Sequence, residues 1–286
     1  MTDASRLADS WADALASWAI PQEILDAAPE SPFGFPAELF VRRGERAIDD
    51  GDRTPTPTPT TTRALEALGD GGTVLDVGAG GGATCLPLAR RCTGLIAVDS
   101  QTDMLQAITR MASVLGSPVT TVQGRWPDVA CETPRADVVV CGHVAFNAPD
   151  LMPFVVELSA HAGRRVVIEL TDRHPLAWMN DLWLRFHDVV RPERPRADDA
   201  EELCRALGFD VRRDERVDTE DMAGSGFERR EHAIALMRRR LCLQPERDDE
   251  IATALGSRLV EHDGLWRAGP HEQRVVTLWW DAPASR

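Results

Sequence analysis

Val74-Leu75-Asp76-Val77-Gly78-Ala79-Gly80-Gly81-Gly82-Ala83-Thr84 is the stretch that decides how this chain is read. An apolar run enters a glycine-rich turn, and a helical pattern leaves it. Glycine takes positive φ without a steric penalty and carries no side chain to hold a ligand away. The N–H groups that open the following helix have no partner inside it and face whatever lies above the turn. The stretch therefore brings backbone against a nucleotide-like ligand. The acid two residues before the first glycine bears on which ligand that is.

Outward from this turn, strands and helices alternate. The spacing predicts a helix over 63–68, a strand over 73–77, a helix over 84–91, a strand over 94–98 and a helix over 102–115. Strands follow over 119–122 and 136–141, then a helix over 150–161 and a strand over 165–170. This alternation indicates parallel β-α-β units. Beyond 170 the pattern loosens. A helix over 175–189 carries Leu176, Met179, Leu182, Trp183 and Phe186 on one face, and a helix over 198–207 is closed by Gly208. A strand over 209–217, helices over 227–241 and 248–255, and a closing strand over 275–280 complete the pattern. Arg238-Arg239-Arg240 suits the negative end of a helix dipole and reads as a solvated charged face.

Ahead of the regular part, 7–20 is helical, with Leu7, Trp11, Leu15, Trp18 and Ala19 on one side. Phe33, Phe35 and Phe40 follow among prolines. Thr and Pro alternate over 54–62, which favours extended polyproline II, excludes helix and reads as a surface linker. The expected division is an N-terminal helical and aromatic cap with linker over 1–61, and one domain over 62–286 that carries a helical insertion at about 222–272.

A chain of 286 residues can bury one large core with additions. Its formal charge of −14 repels phosphate backbones, so nucleic acid is disfavoured as a partner. All 32 basic residues are Arg, and Tyr is absent. That composition suggests a GC-rich, actinobacterial-looking genome. It also removes Lys and Tyr from the list of bases and nucleophiles. None of the six cysteines forms a Cys-x-x-Cys pair, so neither a zinc or other metal site nor a disulfide framework is expected. No signal pattern and no run of about 20 apolar residues is present, which makes the cytoplasm the expected location and a membrane span unexpected.

The glycine stretch fits two templates. One is G-x-G-x-x-G/A, the dinucleotide fingerprint. The other is acid-x-G-x-G-x-G, through Asp76, Gly78, Gly80 and Gly82. Asp76 would set a negative charge against a pyrophosphate, whereas S-adenosylmethionine presents an ammonium and a sulfonium. Asp99 closes the next strand, where a carboxylate accepts from ribose hydroxyls in either ligand.

On these residues the chain resembles a class I S-adenosylmethionine-dependent methyltransferase, from about 62 to 217 and again near 275. The resemblance implies an α/β fold with a Rossmann-like, seven-stranded, mostly parallel sheet, helices on both faces and an antiparallel last strand. The N-terminal helical extension and the insertion before the last strand are additions to it. It implies that Asp76, Gly78, Ala79, Gly80 and Gly82 hold the methionine end, and that Asp99 holds the ribose with Ser100 and Met104 nearby. Gly124-Arg125-Trp126 aligns with the adenine motif, although that family usually has an acidic or small polar residue in place of Arg125. Asp128 is the alternative contact, and Trp126 either stacks on the ring or packs in the core. Cys141-Gly142-His143-Val144-Ala145-Phe146-Asn147 resembles the loop between cofactor and acceptor, and the resemblance implies that Cys141 and His143 contact the cofactor. It lacks the Asp/Asn-Pro-Pro-aromatic signature of many enzymes that methylate amino nitrogens.

The resemblance implies transfer of a methyl group from S-adenosylmethionine to a small-molecule acceptor, at oxygen, with S-adenosylhomocysteine as product. An oxygen acceptor often needs a base. The candidates are His143 at the end of a central strand, with Glu169 and His174 at the end of the fifth. The structural alternatives are a backbone-satisfied loop histidine and a buried, paired acid. Trp178, Met179, Trp183 and Phe186, with the N-terminal phenylalanines, read mainly as core, a minority lining an apolar acceptor pocket. The rival functions are RNA or protein methylation, NAD(P) oxidoreduction, and cofactor binding without catalysis.

Overall fold

The computed structural model describes residues 2–34, 57–219 and 226–282. Helix α1 (Asp3–Ala16) opens on Thr2, whose hydroxyl accepts from the Ser5 N–H at 3.2 Å, and buries Ala4, Leu7 and Trp11 at helical spacing. Helix α2 (Gln22–Ala27) follows. Helix α3 (Pro59–Leu68) leads into strand β1 (Thr73–Val77). Next come β2 (Gly94–Asp99), α4 (Thr102–Val114), β3 (Val119–Gln123), β4 (Ala136–Gly142), α5 (Leu151–His161) and β5 (Ala162–Thr171). Helices α6 (Asn180–His187) and α7 (Ala197–Ala206) precede β6 (Arg212–Asp218). Helices α8 (Arg230–Arg240) and α9 (Asp248–Leu255), the strands β7 (Leu259–His262) and β8 (Leu265–Ala268), and β9 (Gln273–Asp281) complete the described elements.

Seven strands form one sheet in the order β3-β2-β1-β4-β5-β9-β6, with β9 antiparallel to both neighbours and the β1–β5 pairs parallel. This is the Rossmann-like, mostly parallel α/β fold expected from the sequence. The central strands read as nearly continuous apolar runs because helices cover both faces. On one face α3 and α4 set Ala64, Leu68 and Ile108 against Val74, Val138 and Val140. On the other, α1, α5 and α7 set Trp11, Phe154 and Leu203 against Leu75, Val139 and Val166. The strand order reverses between β1 and β4, which opens a crevice at their carboxyl ends. A third apolar cluster joins Leu182 and Trp183 of α6, Ile234 and Met237 of α8, and Ile251 and Leu255 of α9, with Ile24 and Leu25 of α2 packed against it.

Several local expectations are corrected. Residues 84–91 do not form an α-helix; a 3-10 turn spans Leu86–Leu88. Pro87 has no N–H to give to a preceding carbonyl, and the Leu88 N–H bonds to Cys85 O at 2.9 Å instead. The Thr-Pro stretch is not extended throughout. Pro59 to Thr62 make the first turn of α3, Thr58 caps it by accepting from the Thr61 N–H, and Pro59 occupies the position where a missing N–H costs nothing. A boundary at 62 therefore falls inside a helix. Residues 54–56, with Phe35, Phe40 and 222–225, lie outside the described residues. The helix foreseen over 175–189 is a 3-10 turn, Ala177–Met179, followed by α6, which stops where Asp188 turns left-handed at φ 55°.

Arg238-Arg239-Arg240 is not a solvated face. Arg238 binds Asp248 and Glu30, Arg239 donates to Gly34 O, and Arg240, buried, donates to Pro32 O at 2.9 Å. The three arginines hold the N-terminal segment against α8. The strands β7 and β8 form a hairpin absent from the sequence expectations, turning on Asp263-Gly264, both at positive φ as in the usual two-residue hairpin turn. Among the described residues no helix is long and apolar enough to cross a membrane.

Candidate functional site

The glycine turn after β1 is held to β2, since the N–H groups of Gly78 and Ala79 both donate to Val98 O, at 2.8 and 3.0 Å. Gly78, Gly80 and Gly82 have φ of 72°, 50° and 85°. A β-carbon on Gly82 would meet Leu86 at 2.7 Å, but one on Gly80 would meet nothing within 4 Å. Space is thus open above Gly80. Its N–H donates to Asp99 Oδ2 at 2.8 Å, and the Gln101 N–H donates to Oδ1 at 2.9 Å, so the carboxylate at the end of β2 is fixed beside the turn. Ser100 next to it is exposed, while Met104 is buried in α4.

Asp76 is fully buried on β1, and neither carboxylate oxygen has a hydrogen-bond partner among the described residues. Burial pushes its pKa from the ordinary 3.8 up to about 7; the Cys85 thiol offsets part of this and the Asp99 charge adds to it. Cys141, on the neighbouring β4, is also buried, and burial with the Asp76 charge pushes its thiol up.

Gly124 follows β3 and donates its N–H to Asp99 O at 3.0 Å. Arg125 is exposed and reaches Asn147 O at 3.2 Å. Trp126 turns the other way. Its indole is buried in the core, donates from Nε1 to Phe154 O at 3.1 Å and meets the His161 ring edge-on at 4.9 Å. Of the two readings of Trp126, the geometry provides core packing, because that position satisfies both the apolar ring and its N–H. Asp128 remains exposed.

His143 closes β4 in the left-handed region, at φ 60°. That conformation lets it contact Glu169 of β5 twice. Its backbone N–H donates to Glu169 O at 2.7 Å, and its ring Nε2 lies 3.0 Å from Glu169 Oε1. Glu169 Oε2 accepts from the Thr60 hydroxyl of α3 and, at 2.7 Å, from Arg216 Nη1 of β6. Thr277 of β9 lies 2.8 Å from Thr60 Oγ1, and Arg216 is braced by Asp218. Burial alone would raise the Glu169 pKa; His143 and Arg216 outweigh it and hold the carboxyl well below its usual range. The imidazole is about one-third exposed and the carboxylate one-tenth, so the unit opens outward through the histidine. Sequence reading foresaw His143 and Glu169. It missed Thr60, hidden in the Thr-Pro stretch, and Arg216, which reaches Glu169 across β9.

His174 lies outside this unit. Its ring stacks on Trp18 with centroids 3.8 Å apart and meets Phe146 edge-on at 5.5 Å, and Phe146 stacks on Trp11 at 5.6 Å. Burial and the Arg191 charge lower its pKa to about 4, so the ring is neutral at pH 7. The Leu176 N–H donates to its Nδ1 at 3.3 Å. Arg191 is sandwiched between Trp18 and Trp183. Met179 and Trp183 belong to the third core cluster, Trp178 and Phe186 pack against it, and Phe33 is exposed.

Residues 74–162 match the family model described as a methyltransferase domain. An uncharacterized protein of Haemophilus influenzae is 32% identical over 103 residues, a match covering 35% of this chain and 38% of that protein's length. Among solved structures, the YcgJ protein of Bacillus subtilis aligns over 79% of this chain and 99% of its own, at 17% identity and a TM-score of 0.50, a likeness of fold. The magnesium protoporphyrin IX methyltransferase of Synechocystis PCC 6803, with bound S-adenosylhomocysteine, aligns over 96% of this chain and 99% of its own, at 13% identity and a TM-score of 0.46.

Proposed function

We propose, from the premise that residues 74–162 form a methyltransferase domain, that this protein transfers the methyl group of S-adenosylmethionine to a hydroxyl of a small-molecule acceptor. The observation that carries the reading is the His143–Glu169 pair at the carboxyl edge of the sheet, one residue from Val144, which rests on the glycine turn.

The residues present fit this cofactor. Asp76 offers two buried oxygens without hydrogen-bond partners among the described residues, suited to a cation rather than to a pyrophosphate. The open space above Gly80 admits a ligand against backbone, and Asp99 beside it has the chemistry to accept from ribose hydroxyls. Bound there, S-adenosylmethionine supplies a methyl carbon activated by its sulfonium.

The protein's part is orientation and proton removal. Glu169 only accepts, so in the neutral imidazole the proton sits on Nε2 and Nδ1 carries the lone pair. His143 Nδ1 then takes the proton of the acceptor hydroxyl as the oxygen attacks. A base so placed contributes roughly a hundred- to ten-thousand-fold. Phe146 of the loop that carries His143 packs into the core on Trp11 and meets His174, which stacks on Trp18, so the loop is braced from the core side.

Calorimetric titration with S-adenosylhomocysteine and with NADH tests the cofactor: binding of the former and not the latter is expected, and the reverse overturns the reading. Transfer of labelled methyl from S-adenosylmethionine across a panel of phenols, carboxylic acids, amines, thiols, RNA and protein then tests the acceptor. Product on a phenol or acid is expected. Label appearing only on nitrogen, RNA or protein rejects the oxygen-acceptor assignment, and cofactor binding with no transfer to any acceptor favours a non-catalytic role.

A further inference from the structure

Glu169 meets three donors with two oxygens, and the division between them is unequal. Among the described residues, Oε1 faces His143 alone. Oε2 takes both the Thr60 hydroxyl and Arg216 Nη1. Thr60 is buried in the first turn of α3, and its only hydroxyl proton goes to Glu169. Thr277, also buried, must therefore donate to Thr60 across their 2.8 Å contact. Arg216 cannot swing away, because Asp218 holds its Nε and Nη2 at 2.6 and 2.9 Å. Among the described residues, the charged groups bonded to the pair or bracing it are Arg216 and Asp218 of β6, while α3 and β9 contribute the hydroxyls of Thr60 and Thr277. Two elements, α3 and β6, donate to the oxygen that His143 does not use, and β9 supports the first of them through Thr277.

We propose that Thr60 and Arg216 are positioning residues for the methyl-transfer site: by fixing Glu169 Oε2 they aim Oε1 at His143 and pin the imidazole with its proton on Nε2 and its lone pair on Nδ1. The inference rests on the reading that His143 acts at the acceptor, but the geometry makes its own demand. A carboxylate accepts on both oxygens, so either could serve His143 if Glu169 were free to rotate. With donors on both sides, a half-turn only exchanges two equivalent oxygens, and any partial rotation breaks the contacts to Thr60, Arg216 and His143 together.

The same arrangement dictates what an amide does at this position. In E169Q the carbonyl oxygen must remain toward Arg216, which can only donate, and the Thr60 hydroxyl donates to the same oxygen. The NH2 group then faces His143, whose Nε2 has to become an acceptor, and the ring proton moves to Nδ1. The side-chain shape is conserved while the tautomer is reversed. A reversed tautomer in an intact site is a known way for an active-site histidine to lose its function as a base.

The test is long-range 1H–15N correlation of histidine-labelled full-length protein, with the His143 signals assigned by H143Q, alongside kcat and KM. The wild type is expected to show His143 protonated at Nε2 and E169Q to show it protonated at Nδ1, with kcat down about a hundredfold or more and KM nearly unchanged. T60V is expected to keep the Nε2 proton, since a loosened carboxylate still only accepts, but to broaden the His143 ring signals and lower kcat several-fold, and T60S to restore both. Wild-type His143 protonated at Nδ1, E169Q that retains the Nε2 proton, or T60V indistinguishable from wild type in both readouts overturns the proposal. The tautomer is read without substrate. Failure of S-adenosylhomocysteine to bind would therefore sink the methyl-transfer reading and leave the tautomer result standing on its own.

Discussion

Gly78 passes so close beneath Val144 that a β-carbon at residue 78 would sit 2.3 Å from Val144 Cγ2. The glycine turn after β1 and the loop after β4 are therefore in van der Waals contact. The residue that rests on the turn directly follows His143, so the cofactor turn and the candidate base share one rigid contact.

G78A should consequently damage both fold and site. Overlap with Val144 and the φ of 72° together cost about 2–4 kcal/mol. G80A is the contrasting case: its φ of 50° costs about 1 kcal/mol, but the new methyl meets no protein atom and projects into the open space above the turn. Thermal unfolding and S-adenosylhomocysteine titration separate them. G78A is expected to lower Tm markedly, and G80A to lower it little while weakening binding at least about tenfold. Equal binding by G80A and wild type would mean that the ligand does not pass over Gly80.

Asp76 sets a pH dependence. Its folded pKa, about 7, lies above the ordinary 3.8. Its contribution to stability is therefore complete below pH 3.8 and is lost as pH rises through 7, a loss on the order of 4 kcal/mol. D76N, which does not ionise, should be stabilised relative to wild type at pH 8 and not at pH 4, read from denaturant unfolding at the two values. The ionised carboxylate is the form that attracts the cationic cofactor. S-adenosylmethionine affinity should accordingly rise from pH 6 to pH 8 in wild type and stay flat in D76N. A flat wild-type profile would remove Asp76 from the cofactor site.

H143A should lower kcat by about a hundred- to ten-thousand-fold while leaving S-adenosylhomocysteine affinity within about twofold, since the imidazole is assigned to the acceptor and not to the cofactor. Steady-state kinetics with a responsive acceptor and calorimetry on the same preparation measure both. An H143A variant of wild-type kcat would make His143 a structural loop residue.

Trp126 has the opposite expectation. Loss of the bond from its Nε1 to Phe154 O in W126F should cost about 1 kcal/mol of stability, and the cavity in W126A about 3–5 kcal/mol. Neither route involves the adenine ring. S-adenosylhomocysteine affinity of W126F, measured by titration, should match wild type, and a drop of tenfold or more would restore the stacking role that the buried indole argues against.

The central architecture was legible because it rests on local patterns. Apolar strands, amphipathic helices and glycine punctuation recur at short range, and β1 and α9 fall where the spacing sets them. Boundaries slipped where a single residue overrode the pattern. Pro87 turned an expected helix into a 3-10 turn, and Pro59 began one where extended chain was expected, because proline forbids a helical N–H in one setting and is harmless in the other. The arginines at the end of α8 looked solvated because nothing near them in sequence announces Glu30, Pro32 and Gly34 as partners.

By itself the sequence determined the sheet, the glycine turn, the two acids at the ends of β1 and β2, and the histidine at the end of β4. Each depends on residues within one β-α unit of one another. Only the tertiary structure decided that Asp76 is buried without a partner, that Trp126 faces the core, and that His143 is coupled to Glu169, Thr60 and Arg216. Those relations join strands and helices far apart in the chain. The hydrogen bonds and burial that set their charge states and directions exist only once the β5-β9-β6 edge has closed beneath α3.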